Sequence, residues 1–246
     1  MCLLKSGLEP LNSAFMIKAI LFDFNGVIID DEHLQLKAYR TVLKEEGIEL
    51  TEEDYFSSLG MDDVRFVQAA FARAGIPLPD IVLTGVIERK TAAHRLSIED
   101  RLPLFPGVIT FVKAAARKYP LGIVSMARRS EIDFVLERAS LNSAFTVIIS
   151  AEDVQACKPD PSCYNRAFLS IDEKIRGAAK LAISPNECLV IEDSPPGILA
   201  GKGAGMRTLG ITNTVSEAEL RKAGADVVSQ SLSDWNIDAI HHVFDR

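Results

Sequence analysis

Four short polar clusters, each at or just after the end of an apolar run, hold the residue types that could do chemistry in this chain. Asp23-Phe24-Asn25-Gly26 follows Ala19-Ile20-Leu21-Phe22, and Ser125 closes the run that starts at Leu121. Lys158-Pro159-Asp160-Pro161 comes shortly after Val147 to Ser150, and Glu192-Asp193-Ser194 follows Cys188 to Ile191. Taken singly, most of these have an ordinary explanation. Lysine is usually a solvated surface residue, acids favour the start of a helix, and a lone serine carries no information. Asp23 is harder to dismiss, because an acid closing an apolar strand serves no packing purpose. If the four runs are parallel strands of one sheet, their ends share an edge, and a nucleophile, a hydroxyl, a cation and a pair of acids converge there.

The elements needed for that convergence are legible. Short apolar runs bounded by polar or glycine residues are the pattern of strands buried on both faces of a parallel sheet. Arg207 to Ile211 adds a fifth such run, and Asp226-Val227-Val228 a possible sixth. Between the runs, Val108, Phe111, Val112 and Ala115, and again Ile132, Val135, Leu136 and Ala139, are spaced as one face of a helix. Alternating strand and helix predicts an α/β fold, a doubly wound, Rossmann-like parallel sheet. Residues 30–103 break the alternation and read as all helix, with apolar stripes at Leu36, Tyr39 and Leu43 and at Val64, Val67, Phe71 and Ala74. Thr51 with Asp54 resembles a capping box. Gly75-Ile76-Pro77-Leu78-Pro79 separates these from a further helix running to Leu96. A helical insert after the first strand is most simply a lid over the carboxyl edge of the sheet, where open α/β sheets bind ligands. The expected organisation is an N-terminal extension over 1–15, a core of 16–29 and 104–246, and a cap of 30–103.

The bulk properties narrow the function. The 246 residues are 48% hydrophobic and 25% charged, with a formal charge of −7 and a pI near 5.2. That balance can fill a core and argues against a nucleic-acid partner, which needs a lysine and arginine surplus. No apolar run reaches the length of a membrane span, and residues 1–15 lack the form of a signal peptide. Cys2, Cys157, Cys163 and Cys188 have neither zinc-ligand spacing nor a disulfide framework, which predicts reduced thiols in a cytoplasmic protein. The neighbouring Lys158 could lower the pKa of Cys157, although a small side chain in a loop is the simpler reading. A monomer or small homo-oligomer is expected.

In order along the chain, FDFNGV, IVSMA, KPDP and IEDSPPG resemble the four motifs of the haloacid dehalogenase superfamily. The helical insert looks like the cap of the subfamily containing phosphoglycolate-type phosphatases and β-phosphoglucomutase. The resemblance runs from about residue 17 to the C-terminus, and its strength lies in four motifs in order at strand ends. It implies a phosphatase acting on a small phosphorylated metabolite. Asp23 would attack phosphorus and form an aspartyl-phosphate, splitting one displacement into two. Mg²⁺ would mask the negative charge, held by Asp23, the main-chain carbonyl of Asn25 and Asp193, with Glu192 behind them or ligating through water. Lys158 would balance the carboxylates and hold a phosphoryl oxygen. Ser125 and the Met126 N–H would bind another oxygen, and Gly26 would let the backbone approach the phosphate.

One position departs from the family pattern. The superfamily places a second aspartate two residues after the nucleophile, to protonate the leaving oxygen and then deprotonate water; here it is Asn25. An amide donates a hydrogen bond but cannot relay a proton, and losing such help costs about 10²–10⁴-fold in rate. Three explanations fit: an engineered replacement, a naturally slow enzyme, or a non-catalytic binder of phosphorylated ligands. The fit of the other motifs favours an active scaffold with an impaired relay. For substrate, the cap offers His33, and Leu59-Gly60-Met61-Asp62-Asp63 where the mutase has an arginine for a second phosphate. Asp63 would repel that group, and Ala127 lacks a hydroxyl that the mutase has. Both favour a phosphatase over the alternative hexose-phosphate mutase, for which Arg65, Arg128 and Arg129 could still substitute.

Overall fold

The computed structural model describes residues 16–178 and 181–245, so the expected N-terminal extension over 1–15 lies outside the described residues. The strands are β1 (Ala19–Phe22), β2 (Leu121–Val124), β3 (Val147–Ile149), β4 (Cys188–Glu192), β5 (Arg207–Ile211) and β6 (Val227–Ser229). They form one sheet in the order β3-β2-β1-β4-β5-β6, with every neighbouring pair parallel. All the strand ends therefore share one edge, and β1 and β4, which carry Asp23 and Asp193 at their tips, lie side by side.

Alternation along each strand divides the core in two. Ile20, Phe22, Leu121, Ile123, Leu189 and Ile191 face one layer of helices: α5 (Val108–Ala116), α6 (Arg129–Arg138) and α10 (Ile237–Phe244). Ala19, Leu21, Val124, Cys188 and Val190 face the other, formed mainly by α7 (Ser162–Gly177) and α8 (Pro195–Gly203). A short helix, α9 (Glu217–Lys222), links β5 to β6. The helical stripes of α5 and α6 are buried where their spacing predicts.

Between β1 and β2 the chain inserts four helices: α1 (Glu32–Glu45), α2 (Glu52–Phe56), α3 (Asp63–Ala74) and α4 (Asp80–Glu99). The strands leading out and back are pinned together, with Ile29 bridging Leu104 and the Asp30 N–H donating to Pro103 at 2.7 Å. The insert packs its own core of Leu36, Tyr39, Leu43, Phe66, Val67 and Phe71, among others. The stripe of α3 is rotated from its expected position: Phe66, Val67, Ala70 and Phe71 are buried, whereas Val64 and Ala74 are exposed. The Asp62 carboxylate caps this helix by accepting from the Arg65 N–H at 2.8 Å. Thr51 caps α2, accepting from the Asp54 N–H at 3.0 Å. Asp54 answers to the Thr51 hydroxyl, not to its backbone. No described helix is long and apolar enough to cross a membrane.

Candidate functional site

The sheet edge brings the predicted clusters together. Asp23 follows β1 directly, its N–H still donating to Ile191 in the ladder at 2.9 Å. The loop that follows is anchored by buried Phe24, Val27, Ile28 and Ile29. Lys158 comes from the loop after β3, joined to Pro159 by a cis peptide. Its buried ammonium donates to Asp23 Oδ1 at 2.8 Å, to Glu192 Oε1 at 2.7 Å and to the Val124 carbonyl at 3.0 Å. These three bonds use all its protons, and the two carboxylates push its pKa up despite burial.

Glu192 is fully enclosed. Oε1 also accepts from the Tyr164 hydroxyl at 3.0 Å, and Oε2 accepts from the N–H groups of Asp193 and Ser194 and from the Ser194 hydroxyl. Gly197 makes this possible, because a Cβ there would occupy the space of the Glu192 carboxyl group. Ser194 caps α8, so a helix-start role belongs to Ser194 and leaves Asp193 free to face the edge. Asp193 is held by the Thr214 hydroxyl and lies against Gly26, whose φ of +74° and missing Cβ give the carboxylate its room. Gly26 thus sits behind Asp193 and is not among the residues that line the cavity described below.

Asp23, Glu192 and Asp193 each present an oxygen within 4.8 Å of the others'. Three carboxylates cluster beside one ammonium, which pairs with Asp23 and Glu192 alone, and burial makes the surplus charge expensive. Burial lifts the Asp23 carboxyl to about 7 even though Lys158 opposes it and Glu192 adds to it. Asp193 is raised well above the carboxylate range by burial and then by the charges of Glu192 and Asp23. Hard oxygen donors with a charge deficit of this kind suit a divalent cation. Asp23 and Asp193 have oxygen lone pairs to offer it, whereas those of Glu192 are taken.

Above these groups lies a cavity of about 100 Å³, walled by the sheet edge and by the insert. The core side supplies Asp23, Asn25, Ser125, Met126, Lys158 and Asp193. Ser125 is buried, and its Oγ accepts from the Ala127 N–H at 3.0 Å. The insert supplies Glu32, Tyr39, Tyr55, Asp63 and Lys90, among others. Lys90 is a buried bridge between the two parts, donating to Asp63 at 2.9 Å and to Glu131 of α6 at 3.3 Å. Those carboxylates carry its pKa up to about 12 against the effect of burial.

Asn25 lines the cavity, but its side-chain amide is turned to Asp31. Its Nδ2 donates to Asp31 Oδ1 and Oδ2, each at 3.0 Å. The wholly buried Asp31 also accepts from Gln35 at 3.1 Å, and His94 Nε2 lies 2.8 Å from it.

The structure decides between several alternatives that the sequence leaves open. His33 is exposed and off the cavity. Arg65 pairs with Asp62, Arg128 lies beside Glu152 and Arg129 binds Asp133, so among the described residues no arginine lines the cavity. Burial raises the Cys157 thiol to about 11, so the lysine beside it does not activate it. The sequence reading passed over Glu32, Lys90 and Glu131. Asp30-Asp31-Glu32 looks like an ordinary acidic helix start, and Glu88-Arg89-Lys90 like a solvated run.

Comparison with known proteins agrees with this geometry. Residues 20–211 match the family described as Haloacid dehalogenase-like hydrolase. Hexitol phosphatase B of Escherichia coli (strain K12) is 29% identical over 220 residues, 89% of this chain and 94% of that protein. Protein SUPPRESSOR OF QUENCHING 1, chloroplastic, of Arabidopsis thaliana is 28% identical over 231 residues, 91% of this chain but 20% of that much longer protein. The structure of β-phosphoglucomutase from Clostridium difficile superposes with a TM-score of 0.79 at 21% identity, over 94% of this chain and 98% of that one, and shares its fold. The chain belongs to the haloacid dehalogenase-like hydrolases.

Proposed function

We propose that this protein is a Mg²⁺-dependent phosphomonoester hydrolase acting on a small phosphorylated sugar or sugar alcohol through an aspartyl-phosphate on Asp23. The observation that carries the proposal is Asp23 itself. It is a buried carboxylate on a cavity floor, held by Lys158 at 2.8 Å, with Asp193 close enough to share a cation. Asp23, Asp193 and the Asn25 carbonyl would hold Mg²⁺, which lowers the repulsion between the Asp23 carboxylate and an anionic phosphate. Glu192, with its lone pairs occupied, sets the position of Lys158 from behind. Lys158, Ser125 and the Met126 N–H are the donors for phosphoryl oxygens.

The names of the relatives supply the substrate class: a hexitol phosphatase and a β-phosphoglucomutase of Bacillus subtilis, 23% identical over 235 residues. The carboxylate of Asp63 on the cavity wall, and the lack of a lining arginine among the described residues, favour hydrolysis over a mutase that must grip a second phosphate. Residues 30–103 would form the cap. Ligand pockets commonly enclose about 300–1,000 Å³, more than the cavity of about 100 Å³ here, and the cap would move as a lid to admit substrate. Free, buried Cys163 and Cys188 are in keeping with a cytoplasmic protein.

The test is phosphate release from a panel of sugar and sugar-alcohol phosphates, with Mg²⁺ or EDTA, for the natural chain and for Asn25→Asp. Mg²⁺-dependent release, equal or greater in Asn25→Asp, is expected. Interconversion of hexose phosphates without release would move the assignment to the mutase. Inertness of both forms would refute an enzymatic role.

A further inference from the structure

Hydrolysis through Asp23 needs a proton delivered to the leaving oxygen and another removed from water, and Asn25 can do neither. Its amide nitrogen is also bound to both oxygens of Asp31, each at 3.0 Å, and Asp31 is sealed from the cavity. The carrier must be another group on the wall. Among the described residues five carboxyl groups line it: Asp23, Glu32, Asp63, Glu131 and Asp193. Asp23, Asp63 and Glu131 each hold a lysine ammonium, and Asp193 faces the cation position. Glu32 is held by a neutral group, the Tyr55 hydroxyl donating to Oε2 at 2.5 Å, and makes no ion pair with any described residue.

We propose that Glu32, at the first turn of α1, is the catalytic acid and base of this site, in place of Asn25. The inference rests on the phosphatase reading above. In the first step Asp23 attacks phosphorus, the ester P–O bond breaks, and its electron pair stays on the leaving oxygen, which takes the Glu32 proton. The products are the alcohol, the aspartyl-phosphate and a Glu32 carboxylate. In the second step that carboxylate takes a proton from water as the water oxygen attacks phosphorus. The bond to Asp23 breaks, releasing inorganic phosphate and restoring both side chains. Electrostatics support the assignment. Burial, then the Asp31 charge, push the Glu32 carboxyl up to about 7, with Tyr55 and Lys90 opposing and Asp23 adding to the rise, while Asp193 feels Glu32 in turn. An acid that must become a base works best with a pKa near the working pH. Tyr55, on α2, anchors the group from the cap, so closing the lid also delivers the proton carrier.

The experiment compares the natural chain, Glu32→Gln, Asn25→Asp and the double variant in the presence of Mg²⁺. The substrates are sorbitol 6-phosphate, with a poor leaving group, and p-nitrophenyl phosphate, with a good one. The amide oxygen of Glu32→Gln can still accept from Tyr55, so an unchanged melting temperature is expected. On sorbitol 6-phosphate kcat should fall about 10²–10⁴-fold with KM little changed. With p-nitrophenyl phosphate one equivalent of nitrophenolate should appear as a burst, leaving a phosphoenzyme that acid quenching traps. Adding Asn25→Asp to Glu32→Gln should restore turnover, which a merely structural role for Glu32 would not allow. The inference is overturned if Glu32→Gln retains kcat within about threefold, if only KM rises, or if Asn25→Asp is active alone but fails to rescue the double variant. In all three outcomes the natural chain still hydrolyses its ester and the phosphatase reading stands. If the natural chain releases phosphate from neither ester, both readings fall together.

Discussion

Replacing the proposed nucleophile by its neutral isostere, Asp23→Asn, should stabilise the metal-free protein at alkaline pH while abolishing turnover. The folded protein raises the Asp23 carboxyl from 3.8 to about 7. Because the pKa rises on folding, the native state holds the proton more tightly than the unfolded chain. The associated stability is fully present below about pH 4 and lost as pH climbs through 7. A rise of about three units at 1.36 kcal/mol each is worth on the order of 4 kcal/mol. Roughly 1.6 kcal/mol of that is already lost at pH 5, so between pH 5 and pH 8 the charge on Asp23 costs a further 2–3 kcal/mol, on that same scale. Asparagine carries no such charge, and Lys158 keeps Glu192 at 2.7 Å and the Val124 carbonyl at 3.0 Å. Urea denaturation with EDTA at the two pH values should show the variant gaining about 2–3 kcal/mol on the natural chain as pH rises. Mg²⁺ at pH 8 should then close the gap by stabilising the natural chain alone. A stability difference that does not widen with pH would refute the electrostatic reasoning, and stabilisation of both proteins by Mg²⁺ would refute the place given to the cation.

Removing the shared cation should act in the opposite direction. Lys158→Met leaves Asp23 and Glu192 buried without a counter-charge, and loss of one partner of such a pair costs about 3–5 kcal/mol; the loss should be smaller at pH 5 than at pH 8 by urea denaturation, with phosphate release abolished at both. Gly197→Ala places a methyl group inside the Glu192 carboxyl, so α8 must move; overpacking of this sort costs about 1–3 kcal/mol and should lower turnover by displacing Lys158. Gly177→Ala, with open space around it, is the control and should leave activity untouched.

The sheet was legible because burial on both faces leaves a strong signature: short apolar runs such as Ala19–Phe22 and Cys188–Glu192 separated by helical spacing. Their polar ends could be paired in advance because parallel strands share an edge, and Asp23, Lys158 and Glu192 meet there. The cap was less legible for two reasons. In α3 the apolar residues at 64, 66, 67, 70, 71 and 74 fill more than one stripe, so periodicity shows a helix without choosing its face; packing against the rest of the insert decides it. Charged residues also give no local sign of burial. Lys90 is 2% exposed only because Asp63 and Glu131, far apart in sequence, close around it. Glu32 likewise acquires its character from Asp31, Tyr55 and Asp23.

The same electrostatics bear on whether the chain is an enzyme or a binder of phosphorylated ligands. A phosphate receptor gains from cations and N–H donors and loses from every carboxylate placed against the anion. Here Asp23 lies on the cavity floor, desolvated to the point where its pKa approaches neutrality, and it occupies one of the three donors of Lys158. For binding alone this is a liability twice over, since Asp23 repels the ligand and competes with it for the ammonium. For covalent transfer it is what the chemistry requires: a carboxylate stripped of water and held in place, with its charge offset by Lys158 and, when bound, a divalent cation. The arrangement lowers stability where it stands, which favours the proposed attack by Asp23 over binding alone.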